Sequence, residues 1–243
     1  MKNIAIGITI FLLLWALILI FGIIDTFFLP TPLQVLTSLK NLFVSGKLIQ
    51  DTAMTLARVG ASLLIALGVG VPTGLLLGRF EKMYHSVEFI IDFFRSTPAT
   101  ALFPLFLVVF GIGEISKVAL ASFAATLIVI FNTAYGVMHA PKYRRVTAEL
   151  LGATHRQIFW HVIIRESLPQ LLVGIRNAVS WVLAVVVVTE MFIGTNTGLG
   201  RRIIDSSITY DISGMYASIL VVGLIGYLLN ALLLLIHKRY VHW

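Results

Sequence analysis

Four stretches of this sequence, 4–24, 59–78, 118–138 and 212–236, each run for at least twenty residues without one charged side chain. At 1.5 Å of rise per helical residue, such a run can cross a hydrocarbon core of roughly 30 Å. A segment inside lipid must satisfy its own backbone hydrogen bonds, so these runs are read as helices. Composition agrees: 58% of residues are hydrophobic and 12% charged, against roughly 25% charged in a soluble domain.

Two further segments qualify if internal charges are tolerated. Residues 87–113 contain Asp92 and Arg95, and 168–193 contain Arg176 and Glu190. The sequence therefore predicts an all-α membrane protein of six transmembrane helices, at approximately 4–27, 53–78, 87–111, 117–138, 168–193 and 213–236, forming one domain over 1–243. The first run can be compared with a signal peptide, but its apolar core is longer than usual and no A-x-A-like site follows it. It is read as a membrane helix.

With the N-terminus inside, the inner segments carry Lys2, Arg79, Lys82, Lys142, Arg144, Arg145, Arg156, Arg165, Lys238 and Arg239, and the outer ones Lys40, Lys47, Lys117, Arg201 and Arg202. Ten against five follows the positive-inside bias and puts both termini in the cytoplasm. The formal charge of +7 is thus scattered between spans, which argues against a nucleic-acid partner.

Catalytic chemistry is hard to assemble from these residues. Cysteine is absent, and the six histidines form no H-E-x-x-H or other ligand spacing. No G-x-S-x-G elbow occurs, and no G-x-x-x-x-G-K-[ST] loop that would cradle a nucleotide. We expect no enzyme activity, cofactor or metal in this chain.

Other features bear on packing and passage. Pro30-Thr31-Pro32 opens a segment whose Leu33, Leu36, Leu39, Leu42 and Phe43 recur at helical spacing, predicting a short helix at the outer interface. Gly70, Gly74 and Gly78 form a small-xxx-small face that invites close approach of another helix, with Pro72 expected to bend the span. Asp92 and Arg95, three apart, can neutralise each other, whereas Arg176 and Glu190 sit at opposite ends of their span and can partly snorkel. Pro98 and Pro104 should bend the third span and free carbonyls that are tolerable only against protein or a water-filled cavity. Arg95, Pro98, Thr100 and Pro104 are therefore candidates for lining a pathway. Glu190 joins them, with a structural or gating role preferred.

Residues 139–167 form the longest inner connection. A helix over 142–151, Gly152, and a second helix over 154–164 with Ile158, Phe159, Val162 and Ile163 on one side describe it best. So small a helix pair has too little core to stand alone and needs a partner surface.

This stretch resembles the membrane subunits of binding-protein-dependent ABC importers. The EAA-type loop corresponds to TAELLGATHRQIFWHVIIRESLPQLLVGIR at 147–176, with its glycine at Gly152. FLPTPLQVL, LARVGASLLIALGVGVPTGLLLGR, FFRSTPATALFPLFLVVFGIGEISKV and VVVVTEMFIG followed by GLG extend the likeness to the branch that imports nitrate, sulfonates, taurine, bicarbonate or thiamine precursors. Val146 stands where that family has its first motif glutamate, and Glu149 lies three residues later on the same face.

The resemblance implies a type I importer permease fold with coupling helices in a cytoplasmic loop at 140–166. It implies partners too: a separate ATPase subunit that docks Glu149, Leu150, Gly152, Ala153, Thr154, Ile158 and Phe159, an extracytoplasmic solute-binding protein, and a second permease copy. The glycine face offers one seam for a homodimer. A six-helix secondary transporter or channel subunit without an ATPase is the competing reading.

Overall fold

The computed structural model describes residues 2–240, with side chains placed for 6–239. Met1 and 241–243, which the single-domain reading includes, lie outside the described residues, as does the side chain of Lys2. Along the described chain run α1 (Lys2–Ile20), α2 (Pro32–Val44), α3 (Lys47–Arg79), α4 (Glu81–Ser96), α5 (Phe103–Phe110), α6 (Glu114–Met138), α7 (Lys142–Leu150), α8 (His155–Ile158), α9 (Ile164–Phe192), α10 (Leu199–Ile208) and α11 (Ile212–Tyr240).

Among the described residues, four helices have the length and apolarity to cross a membrane: Lys47–Arg79, Glu114–Met138, the run His155–Phe192 and Ile212–Arg239. Helix α6 is central, packed on one side by α3 and on the other by α9. The glycine face explains the first seam. A Cβ at Gly70, Gly74 or Gly78 would stand 2.9, 2.6 or 2.7 Å from the Cβ of Val129, Thr133 or Val137. The α3 and α6 backbones therefore lie too close for a side chain between them. This corrects the expectation of a homodimer seam there, because the face is consumed within the chain. Pro72 lies inside α3, which continues through it.

Helix α1 ends at a turn where Gly22 takes φ +61, Gly22 N–H bonds to Leu19 C=O and Ile23 N–H to Ile18 C=O. Only glycine adopts that angle cheaply, so the helix expected over 4–27 closes at Ile20. Its Trp15 Nε1 donates to Pro30 C=O at 3.1 Å and packs with Val35 of α2 and Ala217 of α11. Helix α2 starts with a reciprocal cap between Thr31 and Gln34.

The third expected span is broken. Helices α4 and Ala99–Phe110 meet at 91°, through Thr97, Pro98 and a 3-10 turn at Ala99–Leu102. Pro98 has no N–H to continue the α4 ladder and disfavours helical angles at Thr97, whose ψ is 125°. Pro104 makes no bend of its own. It sits in the first turn of α5, where its missing N–H costs nothing.

The inner connection also differs from the expected helix pair. Helix α7 ends as expected, with Gly152 at φ +82, its N–H on Glu149 C=O and Ala153 N–H on Ala148 C=O. The expected second short helix is instead the opening of the 38-residue run His155–Phe192. Thr154 and Gln157 cap that run, and a π turn at Phe159–Ile163 carries it into α9 without a break. No glycine intervenes before Gly174, and Pro169 is absorbed inside α9.

Candidate functional site

The break after α4 opens a cavity of about 650 Å³, walled by the α4 end, α6 and α9. Arg95, Pro98 and Thr100 line it from the break, Phe131 and Asn132 from α6, and Asn177, Ser180 and Trp181 from α9. The Arg95 guanidinium lies 3.7 Å from the Phe131 ring centroid, with Asp92 Oδ1 at 3.3 Å. Asn132 accepts from Gln170 Nε2 at 3.0 Å, and Ser180 Oγ accepts from Asn230 Nδ2 at 2.9 Å. The result is a mostly apolar wall with one half-exposed cation on an aromatic face and a few fixed amides and hydroxyls. Such a surface suits a small anion carrying an apolar body.

Of the pathway candidates, the structure gathers Arg95, Pro98 and Thr100 on this wall but leaves Pro104 and Glu190 off it. Glu190 does not snorkel. It is 0% exposed, closed over by α3 and α10. Its Oε1 accepts from Arg58 Nη1 at 2.6 Å, its Oε2 from Gly200 N–H at 2.9 Å, and both oxygens lie 2.9 Å from Thr55 Oγ1. Arg58 also grips Glu114 in bidentate fashion at 2.6 and 2.8 Å, and Lys117 Nζ donates to Glu114 at 2.9 Å.

The glycines of the GLG motif now have a physical role. The first amides of α10 have no partner inside their helix, and three acceptors reach them from other helices. Gly198 N–H donates to Asp51, Leu199 N–H to Thr55 and Gly200 N–H to Glu190, each at 2.9 Å. Two carboxylates at a helix N-terminus also suit its dipole. A Cβ at Gly198 would stand 2.5 Å from Glu190 Cδ. Asp51 completes the clamp by pairing with Arg202 at 2.6 Å.

Sequence reasoning did not single out Arg58 and missed this clamp. The signal was a polar stripe on α3: Asp51, Thr55, Arg58 and Ser62 share one helical face and all are buried.

At the opposite end of the bundle, the α7–α8 turn presents a bare apolar tip, with Leu150 83% and Leu151 82% exposed. Glu149 is exposed and pairs with Arg145 at 3.0 Å. Gly152 and Thr154 are exposed, and Ala153 is half-buried. Ile158 is 2% exposed and turned into the bundle, and half-buried Phe159 lies under the Arg79 guanidinium at 4.9 Å. Those two support the tip from behind. Arg144 pairs with Glu166, tying α7 to the long helix and raising the guanidinium pKa above its ordinary value.

Among the described residues, no three His, Asp or Glu side chains stand close enough to hold a metal ion.

Comparison with known proteins places this architecture. Residues 70–242 match the family described as binding-protein-dependent transport system inner membrane component. A probable ABC transporter permease protein of Brucella melitensis is 31% identical over 215 residues, covering 88% of this chain and 87% of its relative. The taurine transport system permease protein TauC of Escherichia coli is 30% identical over 239 residues, covering 96% and 86%. In fold, the chain matches a structure of inward-facing conformations of the MetNI methionine ABC transporter with TM-score 0.69 and 21% identity, over 82% of this chain and 98% of that one.

Proposed function

This chain belongs to the binding-protein-dependent transport system inner membrane components, and from that membership we propose how its parts divide the work of an ATP-driven importer. The chain is the permease subunit, an inner membrane component that supplies the solute pathway. The observation that carries this reading is the cavity beside the α4 break, whose one half-exposed cation sits among apolar and amide groups.

Six spans follow when the bent pair α4–α5 counts as one and α1, about 28 Å long by its residue count, as another. All six form one domain, with both termini and the α7 tip in the cytoplasm. A second copy of this chain supplies the missing wall of the pathway, across the open side of the cavity. An ATPase subunit holds the tip through Glu149, Leu150, Gly152, Ala153 and Thr154, with Ile158 and Phe159 transmitting its motion to α9. A solute-binding protein delivers cargo to the other face.

The exposed Leu150 and Leu151 support the docking role, since two adjacent leucines in water invite a protein cover. The cargo is a small anion, such as a sulfonate. The taurine-transport relative and the position of Arg95 both favour that class.

The sequence has no cysteine, so Leu151→Cys gives a single reporter thiol. A membrane-impermeant maleimide should label it in inside-out vesicles and not in right-side-out ones, with protection when the ATPase subunit is bound. Labelling from the outer face refutes the assignment.

A further inference from the structure

A second cavity, of about 290 Å³, lies at the same end of the bundle as the α7 tip but behind it. We propose that it holds the phosphate headgroup of an anionic phospholipid. Three of the four long apolar helices terminate at its walls. Arg79 ends the span Lys47–Arg79, Met138 ends Glu114–Met138, and His155 begins His155–Phe192. Gly78 and Met138, the last residues of the uncharged runs 59–78 and 118–138, both line the cavity, which puts it at the membrane boundary where those two runs stop.

Its charge is one-sided. Arg79, Lys142 and Arg145 line it against the single carboxylate of Glu81, with the His155 ring beside them. Arg145 is engaged by Glu149 at 3.0 Å. Arg79 and Lys142 have no carboxylate within 4.0 Å among the described residues. The Arg79 guanidinium rests between the rings of Phe80 and Phe159, at 5.6 and 4.9 Å, where its donors are left for an acceptor from outside the chain.

A second feature adds to this pull. Helix α7 begins at Lys142 without a side-chain cap, and Pro141 and Lys142 at that N-terminus line the same cavity, where the helix dipole favours an anion. Basic pockets between spans at a membrane boundary are suited to lipid headgroups. The remaining wall decides between a lipid and a free anion. Val137, Met138, Phe159 and Val162 give the cavity an apolar side, and Phe80 and Met83 continue it outward as exposed apolar surface. Inorganic phosphate has no use for that side, whereas glycerol and acyl carbons do.

The test uses the full chain in nanodiscs of phosphatidylglycerol or phosphatidylcholine with equal acyl chains, followed by matched delipidation and native mass spectrometry. Phosphatidylglycerol should be retained selectively. Each removed cation should weaken retention about fivefold, so Arg79→Gln with Lys142→Gln should weaken it about 25-fold. Lys82→Gln, an exposed neighbour outside the cavity, should leave it unchanged. Arg79→Lys with Lys142→Arg should restore it, which separates charge from folding. If the double glutamine variant does not purify, Lys142→Gln alone carries the test.

Equal retention of the two lipids, or undiminished retention in the variants, overturns the proposal. So does displacement of the lipid by millimolar inorganic phosphate, which would mark a free-anion site. Expulsion of the lipid when the ATPase subunit binds would mark a protein-docking face and overturn it as well.

Discussion

Glu190→Ala should destabilise this protein more than almost any other single change. The carboxylate is 0% exposed and serves three donors: Arg58 Nη1, Thr55 Oγ1 and the Gly200 amide. Truncation leaves Thr55 and Gly200 without an acceptor. Arg58 keeps Glu114 and the Thr197 carbonyl, but its charge loses a buried counterion. Breaking a buried pair in this way costs about 3–5 kcal/mol. For a chain of this size that corresponds to a fall in melting temperature of about 6–20 °C.

Glu190→Gln keeps the volume but not the logic. Its NH2 must face either Arg58 or the Gly200 amide, and both are donors. A loss of about 1–3 kcal/mol follows. Arg58→Met combined with Glu190→Leu should recover part of the deficit, because neither charge is then stranded and Glu114 retains Lys117. Thermal unfolding of the purified protein in detergent, followed by size-exclusion fluorescence, measures all three. If both single variants melt within about 2 °C of the parent, the clamp does not hold the helices together and the reasoning fails.

Other outcomes follow from the same geometry. Gly74→Ala forces a Cβ to 2.6 Å from that of Thr133 and should destabilise by about 1–3 kcal/mol, whereas Gly68→Ala, with open space around it, should be neutral or gain up to about 1 kcal/mol; the same melting assay compares them. Arg95→Gln should leave assembly intact and abolish uptake of an anionic solute in vesicles; undiminished uptake removes Arg95 from the pathway. Gly152→Pro should abolish ATP-coupled uptake while leaving the amount of protein in the membrane unchanged, because φ +82 at that turn is closed to proline.

The regions most legible in sequence were those whose meaning lies within one helix. Uninterrupted apolar runs at 59–78, 118–138 and 212–236 announced three of the four long helices, and Gly152 announced the end of α7, because each signal is complete within a few turns. The glycine face of α3 announced a close approach but not its partner, which turned out to be Val129, Thr133 and Val137 of the same chain. The continuation of Thr154 into α9 was hidden because a helix that fails to stop leaves no mark.

The clamp was hidden for a different reason. Thr55 and Glu190 are 135 residues apart, and Asp51 and Gly198 are 147 apart. Neither spacing carries information until α6 brings α3 and α9 together. Read singly, Arg58 was a charge at the edge of a span, and Glu190 a charge near an interface. Pro98 and Pro104 looked equivalent on the page, yet one breaks a helix and the other begins one, a distinction set by where the preceding turn ends.

The most direct test of the account is uptake into vesicles holding this protein, its solute-binding protein and its ATPase subunit, measured with and without ATP inside the reconstituted ATPase compartment. The account predicts accumulation of a small anionic solute that requires ATP and disappears when the ATPase subunit is omitted. Solute entering at the same rate with no ATPase present would contradict it.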